Sequence, residues 1–510
     1  MTAISDYFRT AILIDDRVEP DYRPLEELDS RRAGPPNGEP ESGLVAPPEE
    51  DETPVRPSSL VSAFLKENVV CSVVEPSAES ADIVEMAQRG ARIADLLILD
   101  WLLFGSDSAT VDAIREITEQ SQSRLRVVVV FTGANSLSDV VARLVEDAGF
   151  REFHEFVLRR GNTVVLVFGK PGPLLTGGED RRQPSTYGDL PRMIRDDLEM
   201  VFKGLMPEFA FRGINTLRES TPRILATFNS DLDAAALVHR ALLPEPADAG
   251  PQFVRLLASD FEQAMHDGRV GEVWDQESVR THVEDTPLVS SPDQLAGRLK
   301  SNQSVRDNLK ALDASELVQE AIVHGLSKIG MADNAVSKVV ADLAAAVGDA
   351  SAPDESLAVL MSSSNLGDKP PRLELGVVLR DGEGGYWLCV QPLCHSVRLA
   401  SSRAFPMVPL SLDPKEPAAM IRSPEGDAIR VGVDPRPYRL AVPRFSPTKE
   451  GAVFAEGSPS NWHFTSDGDI QYRAITRLRP EVSARAVHGL VSAASQVGVD
   501  ISEWLRRGAP

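Results

Sequence analysis

The chain has 510 residues, 42% of them hydrophobic and 25% charged, with a formal net charge of -23 at pH 7. That length exceeds a single hydrophobic core, so about three domains are expected. No apolar run approaches the roughly 20 residues of a membrane helix, so a soluble protein without membrane contact is expected. The acidic balance excludes a chain coated for non-specific nucleic-acid binding, which needs clustered Lys and Arg.

The negative charge lies in the first 370 residues; from Pro371 onward acid and base nearly balance, with a slight basic excess. Any contact with a polyanion is therefore expected at the C-terminal end. Cys71, Cys389 and Cys394 are too few and too scattered for a disulfide framework, which agrees with a reducing compartment. The opening residues "MTAISDYFRTAILIDD" show no basic leader followed by an apolar segment and a cleavage site, so the cytoplasm is the expected location.

In chain order, short runs rich in Val, Ile and Leu predict strands at "AILID" (11 to 15), "VVCSVVE" (69 to 75), "ADLLILD" (94 to 100), "RVVVVFT" (126 to 132) and "TVVLVFG" (163 to 169). Helices are predicted between them near 58–67, 79–91, 109–121 and 136–147. This alternation predicts an α/β fold, a doubly wound five-stranded parallel sheet over residues 1–172. An insertion at 17–57, dense in Pro, Gly and acidic residues, interrupts it and is expected to be disordered. The stretch "REFHEFVLRRGN" adds length before the last strand, enough for a further strand or hairpin.

After the polar link "LLTGGEDRRQPSTYG", apolar residues recur at spacings of three and four, which predicts an all-helical region over 187–350. A β-rich α+β domain is expected over 371–510, with a hairpin in "RLELGVVLRDGEGGYWLCVQPL", strands in "IRVGVDPRPYRLAVPRF" and closing helices near 480–495 and 501–507.

In a doubly wound sheet ligands bind at the carboxyl ends of the strands. There the sequence places Asp15 and Asp16, then Asp100, then Thr132 followed by Gly133 and Ala134, and finally Lys170 before Pro171. Three carboxylates that converge repel one another unless a cation intervenes, and an all-oxygen site suits Mg²⁺.

The fragments "ILIDD", "LLILDW", "VVFTGA" and "GKP", in this order and on these strands, resemble the receiver domain of bacterial two-component response regulators. The resemblance implies that Asp100 accepts a phosphoryl group. It further implies that Asp16 binds Mg²⁺ directly and Asp15 through water, with the backbone carbonyl of Leu102 completing the ligands, and that Thr132 and Lys170 hold phosphoryl oxygens. Such chemistry rests on positioning and neutralisation of charge. A phosphoacceptor of this kind is not an enzyme, beyond slow self-dephosphorylation.

Departures are present. Val167 stands three before the lysine, where receivers place a switch aromatic, and Phe168 falls one residue late; "WLLFGSDS" after Asp100 lacks the usual proline. The arrangement as a whole resembles bacterial response receiver domain proteins, which implies a histidine-kinase-like or Hsp90-like ATPase as partner, in conflict or antiviral systems. The helical and C-terminal domains would then bind protein partners, with nucleic acid left open. The alternative reading is a non-phosphorylated scaffold.

Other constellations read as structural. His239 and Arg240 have no partner acid or nucleophile at a telling spacing. Cys389, Cys394 and His395, with His463 as a fourth, lack the repeated close pairs of a zinc site. Tyr386 and Trp387 beside Arg380 and Arg398 lie in an alternating strand and read as core.

Overall fold

A computed structural model describes residues 3–18, 57–120, 124–134, 136–171, 182–184, 186–285, 314–325, 351–415, 417–434, 436, 439–459 and 461–495. Most of the expected 17–57 insertion, much of the 187–350 region beyond 285 and the helix expected at 501–507 lie outside these residues. The chain divides into two compact units, Met1–Asp285 and Thr286–Pro510. No described helix is long and apolar enough to cross a membrane.

In the first unit the apolar runs form β1 (Thr10–Ile14), β2 (Val70–Val74), β3 (Leu96–Asp100) and β4 (Arg126–Thr132). The "REFHEFVLRR" stretch folds as a hairpin of β5 (Arg151–His154) and β6 (Val157–Arg160), and β7 (Thr163–Gly169) follows. The sheet order is β2-β1-β3-β4-β7-β6-β5. The first five of these are parallel neighbours, and the hairpin pairs antiparallel along β7. The expected five-stranded parallel sheet is thus extended to seven strands.

Strands with side chains buried on both faces need continuous apolar sequence, and successive residues serve opposite faces. Leu96 and Ile98 enter one core cluster, Leu97 and Leu99 the other; Val127, Val129 and Phe131 divide from Val128 and Val130 in the same way. Helices α1 (Ala3–Tyr7) and α2 (Pro57–Lys66) cover the first face. The second is covered by α3 (Ser80–Ile93), α4 (Ser108–Gln120) and α5 (Leu137–Ala148). The ends of α5 follow from its sequence: the Ser136 side chain accepts from the Asp139 amide, and Gly149, at φ +66°, takes the left-handed turn that stops it.

The core does not end at the polar link. Leu190, Ile194 and Leu198 of α6 (Leu190–Val201) share a cluster with Leu13, Ile98 and Phe168. Within the described part of the link, Arg182 lies 4.2 Å over the Phe168 ring and pairs with Asp197 at 2.5 Å. One core therefore crosses the division expected between 172 and 187. An amphipathic helix looks the same in sequence whether it covers a sheet or another helix.

Beyond it run α7 (Leu205–Thr227), α8 (Asp233–Leu242), α9 (Ala249–Asp267) and α10 (Gln276–Asp285). Helix α7 ties back to the start of the chain: Asn215 Nδ2 donates to the Ala3 carbonyl at 2.6 Å.

In the second unit the described residues form a nine-stranded antiparallel sheet and a separate two-stranded pair. The expected hairpin joins Val377–Arg380 to Tyr386–Cys389, with Tyr386 opposite Arg380. The helix Pro480–Ser495 stands where a closing helix was expected.

Candidate functional site

At the carboxyl edge of the N-terminal sheet, Asp15 follows β1 and still donates its amide to the Val74 carbonyl at 3.2 Å. Its Oδ1 accepts from the Arg17 amide at 2.8 Å, a turn that an aspartate closes with its own side chain and that ends the strand. Asp100 is the last residue of β3, opposite Phe131, and Thr132 is the last of β4, opposite Gly169. The Lys170 amide donates to the Thr132 carbonyl at 2.6 Å. Short strands in parallel register thus bring these positions to one edge.

The side chains meet there. Lys170 Nζ lies 2.9 Å from Asp15 Oδ2 and 2.9 Å from Asp100 Oδ2. Asp15 is 0%, Asp100 1% and Lys170 5% exposed. Burial alone would lower the Lys170 pKa, but Asp100 and Asp15 outweigh it and push the ammonium up to about 12. Asp16 is less buried; its Oδ2 accepts from the Phe104 amide at 2.6 Å, and its Oδ1 is enclosed without a hydrogen-bond partner among the described residues. Phe104 holds a left-handed φ of +53°, unusual for an aromatic residue, in the turn after β3.

The donor set fits a divalent cation. Asp15, Asp16 and Asp100 each bring one carboxylate oxygen within 4.8 Å of the others, the only such cluster of three among the described residues. Three carboxylates against one ammonium leave two negative charges, and hard oxygen donors suit Mg²⁺. Among the described residues the Leu102 carbonyl accepts only a long 3.4 Å bond from the Gly105 amide, which leaves it a lone pair. Thr132 Oγ1 accepts from the Ala134 amide at 3.0 Å, so its own proton is left to donate.

Two supporting residues escaped the sequence reading. The Thr110 hydroxyl, fully buried in α4, donates to the Asp100 carbonyl at 2.9 Å. Gln183 Nε2 donates to the Lys170 carbonyl at 2.6 Å. Neither stands at a strand end, and each acts across ten or more residues, so no local pattern marks them.

Val167 and Phe168 are both fully buried, on opposite faces of β7. Val167 faces α3 to α5, and Phe168 lies beneath Arg182 on the other side. The one-residue offset therefore puts the aromatic ring on the wrong face to replace the missing switch residue.

The constellations read as structural are not drawn into a site. His239 Nε2 meets Gln252 Oε1 at 2.8 Å on an exposed helix. Cys389 is buried with its thiol pushed up to about 12, whereas Cys394 is exposed, and neither joins a metal-binding cluster among the described residues. Tyr386 is core, and Trp387 Nε1 donates to Asp381 at 2.7 Å.

Residues 7–170 match the family model described as the response receiver domain. The match spans 164 of 510 residues, about a third of the chain, and covers all the strand-end residues described above. No curated protein matches the chain. The N-terminal segment is a divergent receiver domain, a module of two-component-type signalling.

Proposed function

We propose that Asp100 accepts a phosphoryl group from a histidine-kinase-like or Hsp90-like ATPase, and that the modified receiver controls what the helical and C-terminal regions bind, in a bacterial conflict or anti-phage setting. The observation that carries this reading is the enclosed cluster in which Lys170 holds Asp15 and Asp100 at 2.9 Å each while Asp16 Oδ1 has no partner among the described residues.

In the transfer, a carboxylate oxygen of Asp100 forms a bond to phosphorus as the bond from phosphorus to the donor's nitrogen or oxygen breaks. The electron pair leaves with the donor, which takes up a proton from water. Lys170 fixes the carboxylate beforehand and then donates to phosphoryl oxygens, and the Thr132 hydroxyl donates to another. Asp15, Asp16, Asp100 and the Leu102 carbonyl would hold Mg²⁺, which supplies charge neutralisation on the transferring group. Since Asp100 is almost wholly buried, its surroundings must yield to admit a donor.

Incubation of the full chain with Mg²⁺ and a small-molecule phosphodonor, and separately with a histidine-kinase-like ATPase encoded beside it, should give a hydroxylamine-labile mass increase that Asp100→Asn lacks. If wild-type protein forms no acyl phosphate with either donor, the non-phosphorylated scaffold becomes the better account. Val167, packed where a switch ring would move, favours that second reading.

A further inference from the structure

The amino edge of the same sheet carries charge of the opposite sign. A cavity of about 430 Å³ opens there, lined among others by Tyr7, Asp95, Arg92, Arg124, Arg126 and Arg218. Asp95 is fully engaged: its Oδ2 accepts from the Arg9 amide (3.0 Å), the Thr10 amide (3.2 Å) and Thr10 Oγ1 (3.1 Å), and its Oδ1 pairs with Arg218 at 3.2 Å. Arg218 also donates to the Tyr7 carbonyl and lies 4.5 Å over the Tyr7 ring. That pair is neutral within itself.

Arg92, Arg124 and Arg126 have no ion pair among the described residues. Arg126 is half-buried, and its Nε is enclosed without an acceptor among the described residues. Its burial, and then the nearness of Arg124 and Arg92, lower its pKa from the ordinary value. Three like charges therefore converge on a concave space in a chain whose net charge is -23. Their repulsion is relieved when an anion enters, and guanidinium forks match phosphate oxygens two at a time. The volume falls within the roughly 300–1,000 Å³ of small-molecule sites.

We propose that this cavity binds a free polyphosphate group, as an inorganic polyphosphate or as the phosphate chain of a nucleotide. It lies within the N-terminal unit.

Calorimetric titration of the full chain in metal-free, low-salt buffer with tripolyphosphate and with ATP tests this. Arg126→Ala and Arg92→Ala should each weaken tripolyphosphate at least tenfold, and Arg126→Lys less, since it keeps the charge and loses the fork. Arg89→Ala, which removes an exposed guanidinium paired with Glu85 outside the cavity, should leave binding unchanged. ATP binding well above tripolyphosphate means that the cavity also reads a nucleoside, and equal binding means that it reads the phosphate chain alone; both support the site. Should Arg126→Ala fail to fold, the exposed Arg92 carries the test. Absence of binding by the wild type, or the same loss in Arg89→Ala as in Arg92→Ala, overturns it.

Discussion

At the carboxyl edge of the receiver sheet a buried lysine sits 2.9 Å from each of two buried carboxylates, whereas at the amino edge three arginines face a cavity with no ion pair among the described residues. The two edges use the same strands and differ in how their charges are balanced. Charges neutralised inside the protein are part of what keeps it folded, because either partner left alone is a buried ion. Charges gathered without a counter-ion weaken the fold slightly and are balanced only when a ligand arrives. Stability should therefore answer to the first edge, and polyphosphate binding to the second.

The sharpest way to break this contrast is Lys170→Met, which strands Asp15 and Asp100. We expect a loss of about 3–5 kcal/mol in urea unfolding without divalent ions; a loss under about 1 kcal/mol would show that water reaches the carboxylates. Next in size is the response to Mg²⁺. At a hundredfold excess over its Kd, the ion should stabilise the wild type by about 2.7 kcal/mol, and Asp16→Asn should abolish the gain. An undiminished gain in that variant removes Asp16 from the ligand set.

Alkaline titration sharpens the comparison further. The folded pKa of Lys170 is raised above its usual 10.5, so its contribution is complete below that pH and is lost as pH rises through about 12. Burial raises Cys71 and Cys389 from 9.0 to about 12, so their losses begin earlier, near pH 9. Metal-free unfolding followed from pH 8 upward should show both steps, and Lys170→Met should lack the later one. The smallest effect is expected at the other edge: Arg126→Ala should leave stability unchanged or raise it by up to about 0.5 kcal/mol, as measured by urea midpoint. A clear loss there would mean that the guanidinium is structural.

The carboxyl edge was legible in sequence because its residues stand where short apolar runs stop. Asp15, Asp100, Thr132 and Lys170 each follow or end a Val- and Leu-rich stretch, and a parallel sheet has one edge on which such ends meet. The amino edge was hidden for the opposite reason. Arg92, Arg124 and Arg218 are far apart in the chain, and counting charge by region buried them in an acidic average. Thr110 and Gln183 were missed because holding another residue's carbonyl leaves no periodic trace. The hairpin could be suspected from the surplus length before β7, but its attachment along β7 depends on pairing between strands, which a single sequence does not state.

That hairpin has a consequence for motion. In a five-stranded sheet β7 would be the outermost strand, and outermost strands fray, exchanging their amide hydrogens through small, frequent openings. Here β6 pairs along β7, and the open edge passes outward to β5, whose four residues are all exposed. The Val167 amide, for example, donates to the Phe156 carbonyl at 3.0 Å. Fraying is thereby moved two strands away from Lys170, and the lysine's strand can loosen only in a larger, rarer event that first detaches the hairpin.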